Sequence, residues 1–108
     1  MSHPATKADL VWLLERHIGR DRGVTARAIA ETLQIPERTV REFVTELRLE
    51  GIAVCGEPQH GYYIAAEASE LEATCAFLRS RAMHSLVLES RLRRIPLVDL
   101  LGQLRLKT

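Results

Sequence analysis

Arg38, Arg41, Glu42 and Thr45 recur at intervals of three and four residues, so a 3.6-residue period places them on one side of a helix. Their chemistry is recognition rather than bond-making. A guanidinium donates in a fixed fork, a carboxylate only accepts, and a hydroxyl does both. A side of that composition suits hydrogen bonding to base edges in the major groove of DNA. The opposite side carries Val40, Phe43, Val44 and Leu47, which would pin the helix from behind. Nothing comparable points to catalysis. The histidines are scattered at His3, His17, His60 and His84, Cys55 lacks the context of a nucleophile, and no G-x-G-x-x-G, P-loop or H-E-x-x-H is present. His and Cys never come at metal-ligand spacing. The chain is expected to be no enzyme, with no cofactor, no metal and no evident small-molecule ligand.

The elements that must hold these residues run from Thr25 to Gly51. Ile29, Ala30 and Leu33 share a face of a first short helix, capped by Thr25 with Arg27 in its first turn. That N-terminus is a natural site for one DNA phosphate. In the turn LQIPE, Ile35 plugs the angle between the helices and Pro36 suits the first turn of the next. From Ala26 to Thr45 the pattern resembles the helix-turn-helix motif, with Ala30 where the helices cross and Val40 ten positions on. Gln34 departs from it, standing where glycine is usual, at a cost of about 1 kcal/mol if φ is positive. Upstream, Thr6 and Asp9 resemble a capping box ahead of a helix with Leu10, Leu13, Leu14 and His17 on one face. His17 is expected to be a hydrogen-bonded histidine at the core edge, and Gly19 a left-handed cap before the polar loop GRDRG. Trp12 lies off the core stripe and reads as a second contact surface.

After Gly51 the period changes to two. IAVC and YYIA read as strands flanking the loop GEPQHG, with Tyr62, Ile64, Ile52 and Val54 inward and Tyr63 outward. A hairpin directly after a helix-turn-helix is a wing. Leu47, Gly51 with Ile52, and Gly61, Tyr62 and Ile64 together resemble winged-helix domains of the biotin-repressor N-terminal type, over about residues 7 to 66. The resemblance implies a recognition helix over 36–50 that reads the major groove through Arg38, Arg41, Glu42 and Thr45. It also implies a wing over 52–65 lying along the backbone or the minor groove. Thr25, Arg27, Arg48, Gln59 and His60 would then face the DNA backbone. His60 either protonates near a phosphate or is a plain loop residue. The wing tip carries no Lys or Arg.

From Ala66 one long helical pattern follows, with Ser69 as its cap and Pro96 as its end. Leu71, Cys75, Leu78, Ala82 and Leu86 form one face. Phe77, His84, Leu88 and Ile95 form another, with Met83 and Val87 between. Two apolar faces need two partners. The first is expected to be the first helix through Trp12, the second another copy of the chain. Trp12, Phe77, Met83, His84, Val87 and Leu88 are the expected dimer contacts. Alternatively PLVDLLGQLRL folds back over the second face. Arg91, Arg93 and Arg94 form a basic cluster at the helix end, read either as a solvated end or as added backbone contacts.

These readings predict a mainly α fold with a small β-hairpin (α+β). A winged helix-turn-helix domain, 1–66, precedes a helical dimerisation extension, 67–108, made of a long helix and a short terminal one. The 108 residues suit one domain with an appendage, and 46% hydrophobic residues are ordinary for a globular chain. Neither a secretory signal nor a membrane-crossing run is read, and Cys55 and Cys75 are expected as buried thiols, which fits the cytoplasm. Net charge is +1, but through Ala66 eight Lys or Arg face nine Asp or Glu. DNA-binding domains usually carry a positive excess. Two function classes follow: a homodimeric regulator that binds double-stranded DNA, of the small stand-alone kind encoded by bacteria and their mobile elements, or an assembly adaptor on the same scaffold.

Overall fold

A computed structural model describes residues 3–106. The chain is mainly helical with one two-stranded antiparallel hairpin, in the order α1 (Lys7–Leu14), α2 (Ala26–Leu33), α3 (Glu37–Leu49), β1 (Val54–Glu57), β2 (Gly61–Ile64), α4 (Ala68–Arg93) and α5 (Leu97–Gln103). It divides into two compact units, Met1–Thr74 and Cys75–Thr108, with the boundary inside α4.

In the first unit, α1, α2, α3 and β1 enclose a single core. Leu10, Leu13 and Leu14 meet Ile29 and Ala30, Val40, Val44 and Leu47, and Val54, all buried. Burying each large aliphatic chain of this set contributes roughly 1.5–3 kcal/mol. The ends of these helices are fixed locally. Asp9 accepts the Thr6 amide N–H at 2.7 Å, and the Ala28 amide donates to the Thr25 hydroxyl at 3.1 Å. Gln34 takes the left-handed conformation (φ +57°) expected of its position, so the turn into α3 stands on a residue that bears the Cβ penalty. Pro36 occupies the cap position rather than the first turn of α3. At the far end of α3, Gly51 (φ +85°) donates to the Arg48 carbonyl and Ile52 to the Leu47 carbonyl. This paired closure also sends Ile52 back onto the core.

Several sequence expectations require correction. α1 ends at Leu14, and Gly19 (φ +97°, ψ 150°) is not its cap. The segment after α1 instead joins the hairpin. Gly19 N–H donates to the Ile64 carbonyl, Ile64 N–H to that of His17, and Val24 and Tyr62 exchange both bonds at 2.8 and 2.7 Å. The GRDRG loop between these pairs is a 3₁₀ turn, Arg20–Arg22. His17 does make its hydrogen bond, Nδ1 to the Arg22 carbonyl at 2.7 Å. The hairpin turn is shorter than GEPQHG, spanning Pro58 to His60 and closed by the His60 N–H to the Glu57 carbonyl.

Tyr63 does not face outward. It is fully buried, opposite the equally buried Cys55, because this hairpin is covered on both faces. The Val54 and Ile64 face meets the core, while the start of α4 is tied to β1 by the Gly56 N–H donating to the buried Thr74 hydroxyl. Period-two reasoning fixes which residues share a face but not how many faces are covered. α4 begins at Ala68, so Ser69 lies inside it rather than capping it.

In the second unit, Arg94 (φ +58°) closes α4, and α5 buries Leu100 and Leu101. The tail therefore carries buried side chains of its own. Cys75, expected buried, is exposed. No described helix is long and apolar enough to cross a membrane.

Candidate nucleic-acid interface

The side of α3 turned away from the core is open. Arg38, Arg41, Glu42, Thr45 and Glu46 line one shallow hollow, so the four residues singled out by spacing do share a surface. The Arg38 side chain is 88% exposed and that of Arg41 60%. Each guanidinium leans on a carboxylate one turn away on its own helix, Arg38 on Glu42 at 3.5 Å and Arg41 on Glu37 at 3.6 Å. Exposed pairs at this spacing are worth about 0.3–0.5 kcal/mol, whereas a bidentate contact to a base is worth about 1–3 kcal/mol. Neither guanidinium is held firmly by its intrahelical carboxylate. The Thr45 hydroxyl donates to the Arg41 carbonyl at 3.0 Å, which satisfies it within the helix.

Of the residues expected at a DNA backbone, Thr25 caps α2, and Arg27 is exposed beside it, paired with Glu31 at 3.4 Å. Gln59 is exposed at the hairpin tip. Arg48 is placed differently. Its Nε donates to the Val54 carbonyl at 2.8 Å in a half-buried position, and the Tyr62 ring and the Arg48 guanidinium both lie close against Gly56. Arg48 thus ties α3 to the hairpin.

His60 is likewise engaged, its Nδ1 lying 2.9 Å from Glu57 Oε2. Glu57 is a junction that sequence reasoning missed. Its largely buried carboxylate also meets Arg20 at 3.3 Å and accepts from the Tyr63 hydroxyl at 3.4 Å. Burial pushes the Tyr63 hydroxyl above its usual range, with the hydrogen bond to Arg20 opposing. Beneath it, the Arg20 and Ala66 amides donate to the Glu70 carboxylate at 2.9 and 2.8 Å. Those backbone N–H groups, Arg20 first, hold Glu70 below the usual carboxylate range. Its contribution to stability is thus present above the ordinary carboxylate value and lost as pH falls through the lowered one. No signal in the sequence marks this junction, because its members are scattered from Arg20 to Glu70. Glu46, by contrast, lies one helical turn beyond Glu42 and could have been placed on the α3 face by spacing alone.

Trp12 is 58% exposed and stacks under the Arg16 guanidinium, 4.0 Å from the ring centroid. Phe77, Met83 and Val87 are half-buried, while His84 and Leu88 are exposed. Leu92 and Val98, which spacing did not single out, are 86% and 73% exposed. Among the described residues no group of three or more His, Cys, Asp or Glu could hold a metal ion. No protein-family model, curated protein or solved structure matches the chain, so what this surface can do has to be read from its own residues.

Proposed function

We propose that the chain is a sequence-specific DNA-binding protein, a transcriptional regulator acting as a homodimer. On this reading α2 and α3 form a helix-turn-helix and the β1–β2 hairpin is its wing, in the manner of the winged-helix domains the sequence resembles. The observation that carries it is the two-sidedness of α3. Val40, Val44 and Leu47 are buried behind, while Arg38, Arg41, Glu42 and Thr45 stand together on the open side. An α-helix presenting such a side fits the major groove, and the capped N-terminus of α2 with Arg27 offers a phosphate its N–H groups.

Titration of duplex DNA at rising salt tests this. Log affinity is expected to fall linearly with log salt at about −0.9 per phosphate contacted. With Arg48 engaged by Val54, the exposed cations are Arg27 at the phosphates and Arg38 and Arg41 at the bases, so the slope per copy is shallow. One observation favours the adaptor alternative: each of these three exposed cations already has a carboxylate partner on its own helix. An adaptor would show no retardation of any duplex even at low salt.

Dimer formation on this reading uses the second unit, where Leu88, Leu92, Val98, Leu104 and Leu106 remain exposed. Two copies on a two-fold axis double the few base and phosphate contacts of one. Leu92→Glu is expected to yield a monomer in sedimentation equilibrium with unchanged helical circular dichroism, since the parent side chain touches little within its own chain. A parent protein that sediments as a monomer at high micromolar concentration would remove the dimer.

A further inference from the structure

We propose that Glu42 sets the base preference of the α3 surface, restricting it to sites that offer a cytosine amino group beside a guanine. The inference rests on the DNA-binding reading above and goes on to name the sites that are bound. A carboxylate has no hydrogen to donate. In the major groove it is repelled by guanine N7 and O6, by thymine O4 and by adenine N7, and it is welcomed by the cytosine N4 amino group. Adenine also presents an amino group, but its N7 acceptor lies beside it, where the second carboxylate oxygen would fall.

The neighbours of Glu42 point the same way. Arg38 Nε lies 3.5 Å from Glu42 Oε1, so guanidinium and carboxylate reach the groove as one unit. Arginine is the bidentate reader of guanine, and the pair together matches a guanine and a cytosine on adjacent edges. α3, Glu37–Leu49, contains neither Asn nor Gln, the side chains that read adenine bidentately. The Thr45 hydroxyl is already bonded to the Arg41 carbonyl and adds no competing donor.

Two other carboxylates stand near Glu42. Glu37 is paired with Arg41, and Glu46 lines the hollow one helical turn beyond Glu42. Glu42 lines the hollow together with Arg38 and Thr45, and of the two carboxylates there it is the one paired with an arginine of that surface. Its charge opposes the phosphates and weakens binding to DNA of arbitrary sequence. That loss is acceptable only where the same charge rejects wrong bases, since specificity is a difference between affinities.

The test is selection of bound sites from a random duplex pool by the full chain, in parallel with Glu42→Gln and Glu42→Ala. The parent is expected to enrich cytosine next to guanine at one fixed position, with about 5- to 150-fold discrimination, the span of one good base contact. Glu42→Gln should move that position towards adenine. Glu42→Ala should flatten it to under about threefold while binding arbitrary DNA more tightly. A parent preference without cytosine there, or one unchanged in both variants, overturns the role of Glu42 and leaves DNA binding standing. Recovery of no bound site at low salt overturns both.

Discussion

Gly23→Ala is expected to cost about 3–5 kcal/mol of stability and to lower the melting temperature by more than about 10 °C, read by thermal and urea denaturation. The reason is steric. Gly23 has an ordinary φ of −59°, so alanine could adopt its backbone conformation freely. A Cβ there, however, would lie 1.7 Å from the His60 carbonyl oxygen and 2.8 Å from its carbon. The obstacle is backbone and cannot rotate away. Relief requires parting the two segments where Val24 and Tyr62 exchange their hydrogen bonds, so the strain of overpacking adds to the loss of that pair. Because domains are stable by only about 5–15 kcal/mol, a loss of this size takes a large part of the whole. Gly102→Ala is the control. Nothing lies within 4 Å of its Cβ position inside α5, and alanine is expected to gain up to about 1 kcal/mol from helix propensity. Equal melting of the Gly23→Ala and parent proteins would show that the Gly23–Thr25 segment is not clamped against the hairpin.

The contrast between these glycines shows what was legible in the chain beforehand. The α2–turn–α3 unit was readable because its information is local: apolar spacing, the Thr25 cap and the Gly51 stop each act within a turn or two. Even the departure at Gln34 was legible as a left-handed residue, and it adopts that conformation. What stayed hidden depends on contacts far apart in sequence. Gly23 against His60, Arg20 against Glu57, and Gly56 against Thr74 leave no periodic trace. Tyr63 was misplaced for the same reason, since nothing within the strand tells it that its second face is also covered. The surface of α3 lies between these cases. Spacing puts Arg38, Arg41, Glu42 and Thr45 on one side and they are found there, whereas Arg48, which the resemblance implies at the DNA backbone, is engaged by the hairpin. By angle Arg48 stands almost above Arg41, and what sets it apart is the Val54 carbonyl within its reach at the end of α3.

That divergence has consequences for how the surface is built. Arg41 and Arg48 stand seven residues apart on α3, carry the same charge, and face different tasks. The carbonyl of Val54 lies at the beginning of β1, so the Arg48 bond sets the angle at which the hairpin leaves α3. Arg41 makes a weak pair with Glu37 on its own helix. The geometry thus separates a side chain that orients the hairpin from one left at liberty to meet a ligand. Exchange of both residues for alanine therefore separates architecture from recognition.

Arg41→Ala is expected to weaken binding to a preferred duplex by about 1–3 kcal/mol, the value of one base-reading arginine, while leaving the urea midpoint unchanged. Only an exposed pair worth a few tenths of a kcal/mol is lost from the fold. Arg48→Ala should do the reverse to the folded state, costing about 1–2 kcal/mol because the Val54 carbonyl loses its charged donor in a half-buried place. Its effect on DNA should be uniform across sequences, as misplacement of the hairpin acts on the backbone rather than on bases. The two variants are compared by fluorescence anisotropy on a preferred and a scrambled duplex, alongside urea titration. If Arg41→Ala binds both duplexes as the parent does, Arg41 reads nothing. If Arg48→Ala alone loses the preference between them, the assignment of the two arginines is reversed, and the face that meets DNA has to be sought on the hairpin side of α3.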